Sequence, residues 1–218
     1  MKSSLISIFV LPCLSILKKF RVHLWLATFH MNKISKELFH FLDPFSSKCP
    51  RFYGAPKLHK PNIPLRLIVD FRNSPSYNLA AHLNKILHPL TDEGKCVMKN
   101  SVDFVNKCRT IKVKRGFCPV SFDVKSLFTK VPIQHTLSIL KSRLSEDSSW
   151  KTSTKLELPD IVMLTELCME GNFFQFSNKY YEQCEGAAMG SPISPVFAEF
   201  LLQDLEHSII PSMRSILH

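Results

Sequence analysis

The chain has 218 residues, 45% of them apolar and 21% charged, with a formal net charge of +10. That composition excludes wholesale disorder and leaves room for one domain with a sizeable core, or for two small lobes. The charge is lopsided: residues 1–120 hold 20 Lys and Arg against 6 Asp and Glu (+14), and residues 121–218 hold 8 against 12 (−4).

Met1-Lys2 precedes an apolar run from Leu5 to Leu17, followed by Lys18, Lys19 and Arg21. The run has the length of a signal-peptide core and is too short for a membrane span. It reads as a terminal extension, with a targeting segment as the minority alternative. Residues 31–50 read as a connector, ending in the turn-rich Asp43-Pro44 and Ser46-Ser47-Lys48-Cys49-Pro50. Pro56, Pro61, Pro64 and Pro75 rule out a long helix over 51–75. Within it, Arg66 to Asp70 is β-branched and apolar enough for a short strand.

Ser76 can cap a helix in which Leu79, Leu83, Ile86, Leu87 and Leu90 recur at helical spacing, with Pro89 ending the pattern. Val120 to Asp123 reads as a strand ending in a carboxylate. Pro132 opens a helix with Leu137, Leu140 and Leu144 on one face. A polar loop over 145–157 leads to a second helix from about Pro159 to Glu170, with Gly171 placed to stop it. Phe173–Phe176, Ser177-Asn178 and Lys179–Cys184 form the pattern of a β-hairpin. A glycine-containing loop, 185–191, then enters a helix over about 195–207 that should bury Val196, Phe200, Leu201 and Leu205.

Seven cysteines are scattered along the chain, none in a CxxC pair, so a zinc knuckle or a disulfide framework is poorly supported. Thiols of this kind fit a reducing compartment.

Three segments carry candidate chemistry. A carboxylate leaving a buried strand, as Asp123 would, can hold Mg²⁺ with positions open to substrate phosphates; taken alone, a cap on the next turn is the reading that comes first. The small residues of Gly186-Ala187-Ala188-Met189-Gly190-Ser191-Pro192 let a backbone approach a flat partner closely, or form a tight turn on the core. Arg51-Phe52-Tyr53-Gly54-Ala55-Pro56-Lys57-Leu58-His59-Lys60-Pro61 interleaves aromatics with cations. It can stack on bases and bind phosphates, or be a solvated loop with its rings in the core. A basic first half suits a polyanion, although a merely soluble basic protein would show the same excess.

FYGAPKLHKP, PLRLIVDFRNSPSYNLA, SFDVKSLFTKVP and GAAMGSPISPVFAEF occur in that order. Together they make the chain resemble the reverse transcriptases of Penelope-like retroelements, relatives of telomerase, over about residues 51–210. The resemblance implies an α+β, partial right-hand polymerase fold of fingers plus an incomplete palm. Residues 1–48 would be the N-terminal extension, 49–118 a fingers-like segment and 119–218 a partial palm.

It further implies that Asp123 is a catalytic aspartate binding Mg²⁺ (or Mn²⁺), with the Val124 carbonyl in the same metal shell. Phe128 would be the gate under the incoming sugar, clashing with a ribose 2′-OH. Arg66, Gln183, Gly186, Met189, Gly190, Ser191 and Pro192 would face the dNTP, and Lys57, Lys60 and Arg72 the nucleic acid. Glu185 stands where the family often has Asp. The family's palm continues into a hairpin with an Asp-Asp pair, and no such pair occurs in the chain. The implied partners are an RNA template, a DNA primer and dNTPs, with no membrane partner, in the nucleus or cytoplasm.

The expected function is therefore a reverse-transcriptase domain fragment, ancestrally copying RNA into DNA and inactive as this chain. A non-catalytic nucleic-acid-binding remnant is the reading from a different class, and a relic without function is the third.

Overall fold

The computed structural model describes the backbone of residues 6–9 and residues 33–44, 47–91, 98, 100–109, 111–112, 115–116, 118, 120–121, 123–170 and 172–216, with side chains described through 209. The architecture is α+β. Five strands form one mixed sheet: β1 (Ile6–Phe9), β2 (Arg51–Pro56), β3 (Leu65–Asp70), β4 (Phe173–Phe176) and β5 (Lys179–Gln183), in the order β1-β5-β4-β2-β3. The helices are α1 (Lys36–Leu42), α2 (Tyr77–Leu87), α3 (Ser101–Arg109), the single turn α4 (Leu127–Lys130), α5 (Ile133–Glu146), α6 (Leu158–Met169) and α7 (Ser194–Ile216).

Two hairpins build most of the sheet. In β2–β3, Phe52 pairs with Val69 and Ala55 with Arg66. In β4–β5, Ser177 and Asn178 both take positive φ (48° and 60°), as a two-residue turn matched to strand twist requires. The hairpins meet through a short parallel contact, Arg51 opposite Gln175, fixed by the Gln175 N–H donating to the Pro50 carbonyl at 2.7 Å. β1 pairs antiparallel with β5, Ile6 opposite Gln183.

Two hydrophobic clusters result. The larger lies among the helices and includes Leu79, Leu83, Leu87, Leu140, Leu164, Phe197 and Phe200, each at most 1% exposed. The smaller lies under the sheet: Val69, Phe71, Phe174 and Ala188, with Phe52, Tyr77 and Tyr181 against them. Phe174 stacks between Phe52 (5.0 Å) and Tyr181 (5.6 Å). Offset pairs of this kind favour a fixed strand register.

The helical expectations hold for α2, α5 and α6, except that the Ser76 side chain makes no cap hydrogen bond at the start of α2, and the short strand expected at 66–70 is β3, beginning one residue earlier. Four others change. The connector 31–50 contains α1, whose start is capped by the Ser35 hydroxyl accepting from Leu38 N–H at 3.2 Å. FYGAP is a strand, not a loop. The loop 145–157 carries a 3₁₀ turn, Ser149–Thr152, pinned by Trp150: its ring is 3% exposed and its indole N–H donates to the Leu144 carbonyl at 3.0 Å. Leu205 is 41% exposed, because the buried stretch of α7 ends at Gln203.

The strand expected at Val120–Asp123 is also corrected: residues 120, 121 and 123 are not in a strand, and Val120 is 69% exposed. A strand needs a neighbour for its backbone groups and a face to bury. Among the described residues none of the five strands pairs with this segment. The apolar run 5–17 lies outside the described residues except for the β1 backbone. No helix among the described residues is long and apolar enough to cross a membrane.

Candidate functional site

The glycine loop is where the molecule's parts join. At one end Ala187 N–H donates to the Phe128 carbonyl of α4 at 2.6 Å. At the other, Val69 N–H of β3 donates to the Met189 carbonyl at 3.0 Å. Successive alanines enter different cores: Ala187 (0% exposed) belongs to the helical cluster and Ala188 (1%) to the cluster under the sheet.

The glycines are required by position. Gly186 has φ +74°, and a Cβ there would meet the Phe128 carbonyl oxygen and lie 2.7 Å from Thr129 Cα. Gly190 has φ +121°, and a Cβ there would strike the Val69 carbonyl oxygen. Ser191 and Ser194, 4% and 1% exposed, follow with hydroxyls that have no hydrogen-bond partner among the described residues. Pro192 is half-buried between them, and α7 begins at Ser194.

Beneath the loop lies an apolar cavity of about 90 Å³, lined by Phe52, Leu67, Val69, Thr129, Ala187 and Met189 among others. Gln183 and Glu185 stand at its polar side, where the Gln183 side-chain amide donates to the Glu185 carbonyl at 2.8 Å. Strand alternation divides the residues of the β2–β3 hairpin. Phe52, Leu67 and Val69 face the cavity, so Arg51, Tyr53 and Arg66 share the opposite face. Arg66 is exposed there, Lys60 is exposed in the loop at the hairpin tip, and Lys57, which opens that loop, is half-buried.

The structure thus brings Phe128, Gly186, Met189 and Gly190 together with β3, and leaves Arg66 on the other face of that strand. Phe128 is half-buried, its ring packed against the helical core. Asp123 and Val124 are exposed. A two-metal centre needs several oxygens converging on the ions. Asp123 brings one carboxylate, and among the described residues no group of three or more His, Cys, Asp or Glu is placed to hold a metal.

Arg72, expected at the nucleic acid, is exposed and has a partner within the chain. Its guanidinium forks onto Asp70, Nε to Oδ1 at 2.9 Å and a terminal nitrogen to Oδ2 at 2.8 Å, and its backbone N–H donates to the same carboxylate. These bonds hold the Asp70 carboxyl at about 2, below its ordinary 3.8, and raise Arg72. A carboxylate depressed on folding adds stability above its unfolded value and loses it as pH falls through its folded one. The stability gap between wild type and Asp70→Asn should therefore be constant above about pH 4 and close towards pH 2, measured by urea denaturation across that window. The pair is exposed, so added salt should shrink the gap.

Sequence reasoning did not find the division of the two alanines, the Asp70–Arg72 fork or the Phe52–Phe174–Tyr181 stack. A signal existed for the fork, an Asp two residues before an Arg at a strand end. The expected hairpin already sets Phe174 opposite Tyr181, but nothing local announced Phe52, 122 residues before Phe174. Comparison of the chain with protein-family models and with curated proteins found no match.

Proposed function

We propose that the chain is a reverse-transcriptase domain whose ancestral reaction is RNA-templated DNA synthesis from dNTPs, and that in this form it binds nucleic acid and nucleotide without transferring nucleotides. The observation that best supports this is the seam formed by the glycine loop. Three of the segments that carry the resemblance, widely spaced in sequence, meet there through the Val69–Met189 and Phe128–Ala187 hydrogen bonds.

On this reading the loop backbone from Gly186 to Pro192 is the flat surface under the nascent base pair. Phe128, held by its own carbonyl, sits at the sugar. The exposed cations of the hairpin bind the backbone of template and primer. Mg²⁺, when bound, would neutralise the transferring phosphates. Asp123 and the Val124 carbonyl are this chain's groups for holding it. With one carboxylate in place of several, the barrier should rise by ~5 kcal/mol or more, or ~10³–10⁴ in rate.

The expected outcome of primer extension on an RNA template, with dNTPs and Mg²⁺ or Mn²⁺, is no product. Extension that disappears in Asp123→Ala would overturn the inactive assignment. Binding of an RNA–DNA primer–template should weaken steeply with salt, and Lys57→Ala with Lys60→Ala should reduce the log–log slope by about 0.7–0.9 for each cation removed. Affinity independent of salt would sink the reading altogether.

The exposure of Asp123 outside any strand favours a second reading, a nucleic-acid-binding module with no nucleotide site. The two separate on one addition: a templated dNTP should tighten primer–template binding in the first and leave it unchanged in the second.

A further inference from the structure

A surface groove of about 430 Å³ runs between the start of α1, the middle of α2 and residues 151–155. It shares no lining residue with the cavity under the glycine loop. Its walls carry Lys33, Lys151, Lys155, His82 and a run of three hydroxyl residues, 152–154, and no carboxylate. A space of this size accepts a phosphate with its sugar.

The nearby acids are already engaged. Lys33 Nζ lies 2.7 Å from Asp160 and 3.1 Å from Glu157, and the bond to Asp160 is the first cause of its raised pKa. Those contacts tie the start of the groove to the first turn of α6. Lys151 and Lys155 are exposed and have no carboxylate partner among the described residues.

The segment that carries them is anchored on both sides. Trp150 is buried and bonded to Leu144, with the Lys151 ammonium 5.7 Å from its ring centre. Glu157 and Asp160 then form a reciprocal cap at the start of α6. On the opposite wall, burial, helped by Lys85, lowers the His82 pKa and favours a neutral ring. Its Nε2 is buried with no hydrogen-bond partner among the described residues. Two ammonium groups without a carboxylate partner and the hydroxyls of Ser153 and Thr154, on anchored backbone, are donors for phosphate oxygens, while the Thr152 hydroxyl already donates to the Ser149 carbonyl at 2.8 Å.

We propose that this groove is a second phosphate-binding site, which takes the backbone of a nucleic-acid strand away from the glycine loop. It rests on the preceding reading only in naming nucleic acid as the source of the phosphates.

The test is fluorescence anisotropy of a labelled single-stranded oligonucleotide over a salt series. It compares wild type, Lys151→Ala/Lys155→Ala and Lys57→Ala/Lys60→Ala. The first pair should lower the log–log slope by about 1.4, at about 0.7 per charge on a single strand, with the thermal melt unchanged because both side chains are exposed. An unchanged slope in that pair overturns the groove. If the hairpin pair still lowers the slope, the preceding reading survives without the groove; wild-type binding without salt dependence removes both. A parallel arm measures acetylation of Lys151 and Lys155. Protection by the oligonucleotide supports the groove, and protection by inorganic phosphate alone overturns its assignment to a strand.

Discussion

Gly190→Ala should lower the unfolding free energy by about 3–5 kcal/mol, read from urea denaturation. Two costs add. At φ +121° an L-residue is outside even the left-handed helical region, a strain of about 1–3 kcal/mol. The new Cβ would also strike the Val69 carbonyl oxygen, which is backbone of β3 and cannot swing aside. Relief requires the loop to lift from the strand. That breaks the bond from Val69 N–H to the Met189 carbonyl and unseats Ala188 from the cluster under the sheet. A buried donor left unpaired costs about 1–3 kcal/mol more.

Gly116→Ala is the control. Gly116 also has positive φ, +93°, but a Cβ there meets nothing within 4 Å, so only the conformational cost of about 1–2 kcal/mol remains. Equal losses in the two variants would mean that the loop is not seated on β3, and the proposed site would lose its principal support.

Local periodicity made much of the fold legible. Leu79, Leu83, Ile86, Leu87 and Leu90 stand at helical spacing and are all buried, because one stripe of a helix must face a core. Ser177-Asn178 announces its turn, because few residue pairs tolerate two positive φ values in succession. The seven-residue α1 was hidden by the Pro and Ser residues after it, although Ser35 three residues before Leu38 was a readable cap.

The strand expected at Val120–Asp123 fails for a deeper reason. β-propensity describes a residue that fits a pleated, half-buried surface, and only the rest of the chain decides whether that surface exists. The site divides in the same way. The order of the segments was legible, and so was a loop of small residues, but the need for glycine at 186 and 190 follows from the backbone of Phe128 and Val69 lying against it. The face on which Arg66 lies, and the pairing of Arg72 with Asp70, depend on register and on a strand end that spacing does not reveal.

α7 offers the other large effect, and it separates periodicity from burial. Phe200, Leu201 and Leu205 are all expected to be buried, and Leu201, four residues before Leu205 and on its face of the helix, is 7% exposed. In the fold Phe200 is fully buried in the helical core, and Leu205 is 41% exposed. The boundary between them is Gln203, 4% exposed, whose side-chain amide donates to the Thr91 carbonyl and closes the core with a polar contact. Phe200→Ala should therefore cost about 3–5 kcal/mol, since the lost ring leaves a cavity among packed helices. Leu205→Ala should stay within about 0.5 kcal/mol of wild type. The two losses, measured by the same denaturation, should differ several-fold. Similar losses would place the end of the core beyond Gln203. The helix that follows the glycine loop would then be buried along a longer stretch than its first three turns. The difference also bears on the site, because the loop is attached at the start of α7, and the residues that fix that end of the helix are Val196, Phe197 and Phe200 rather than any farther along it.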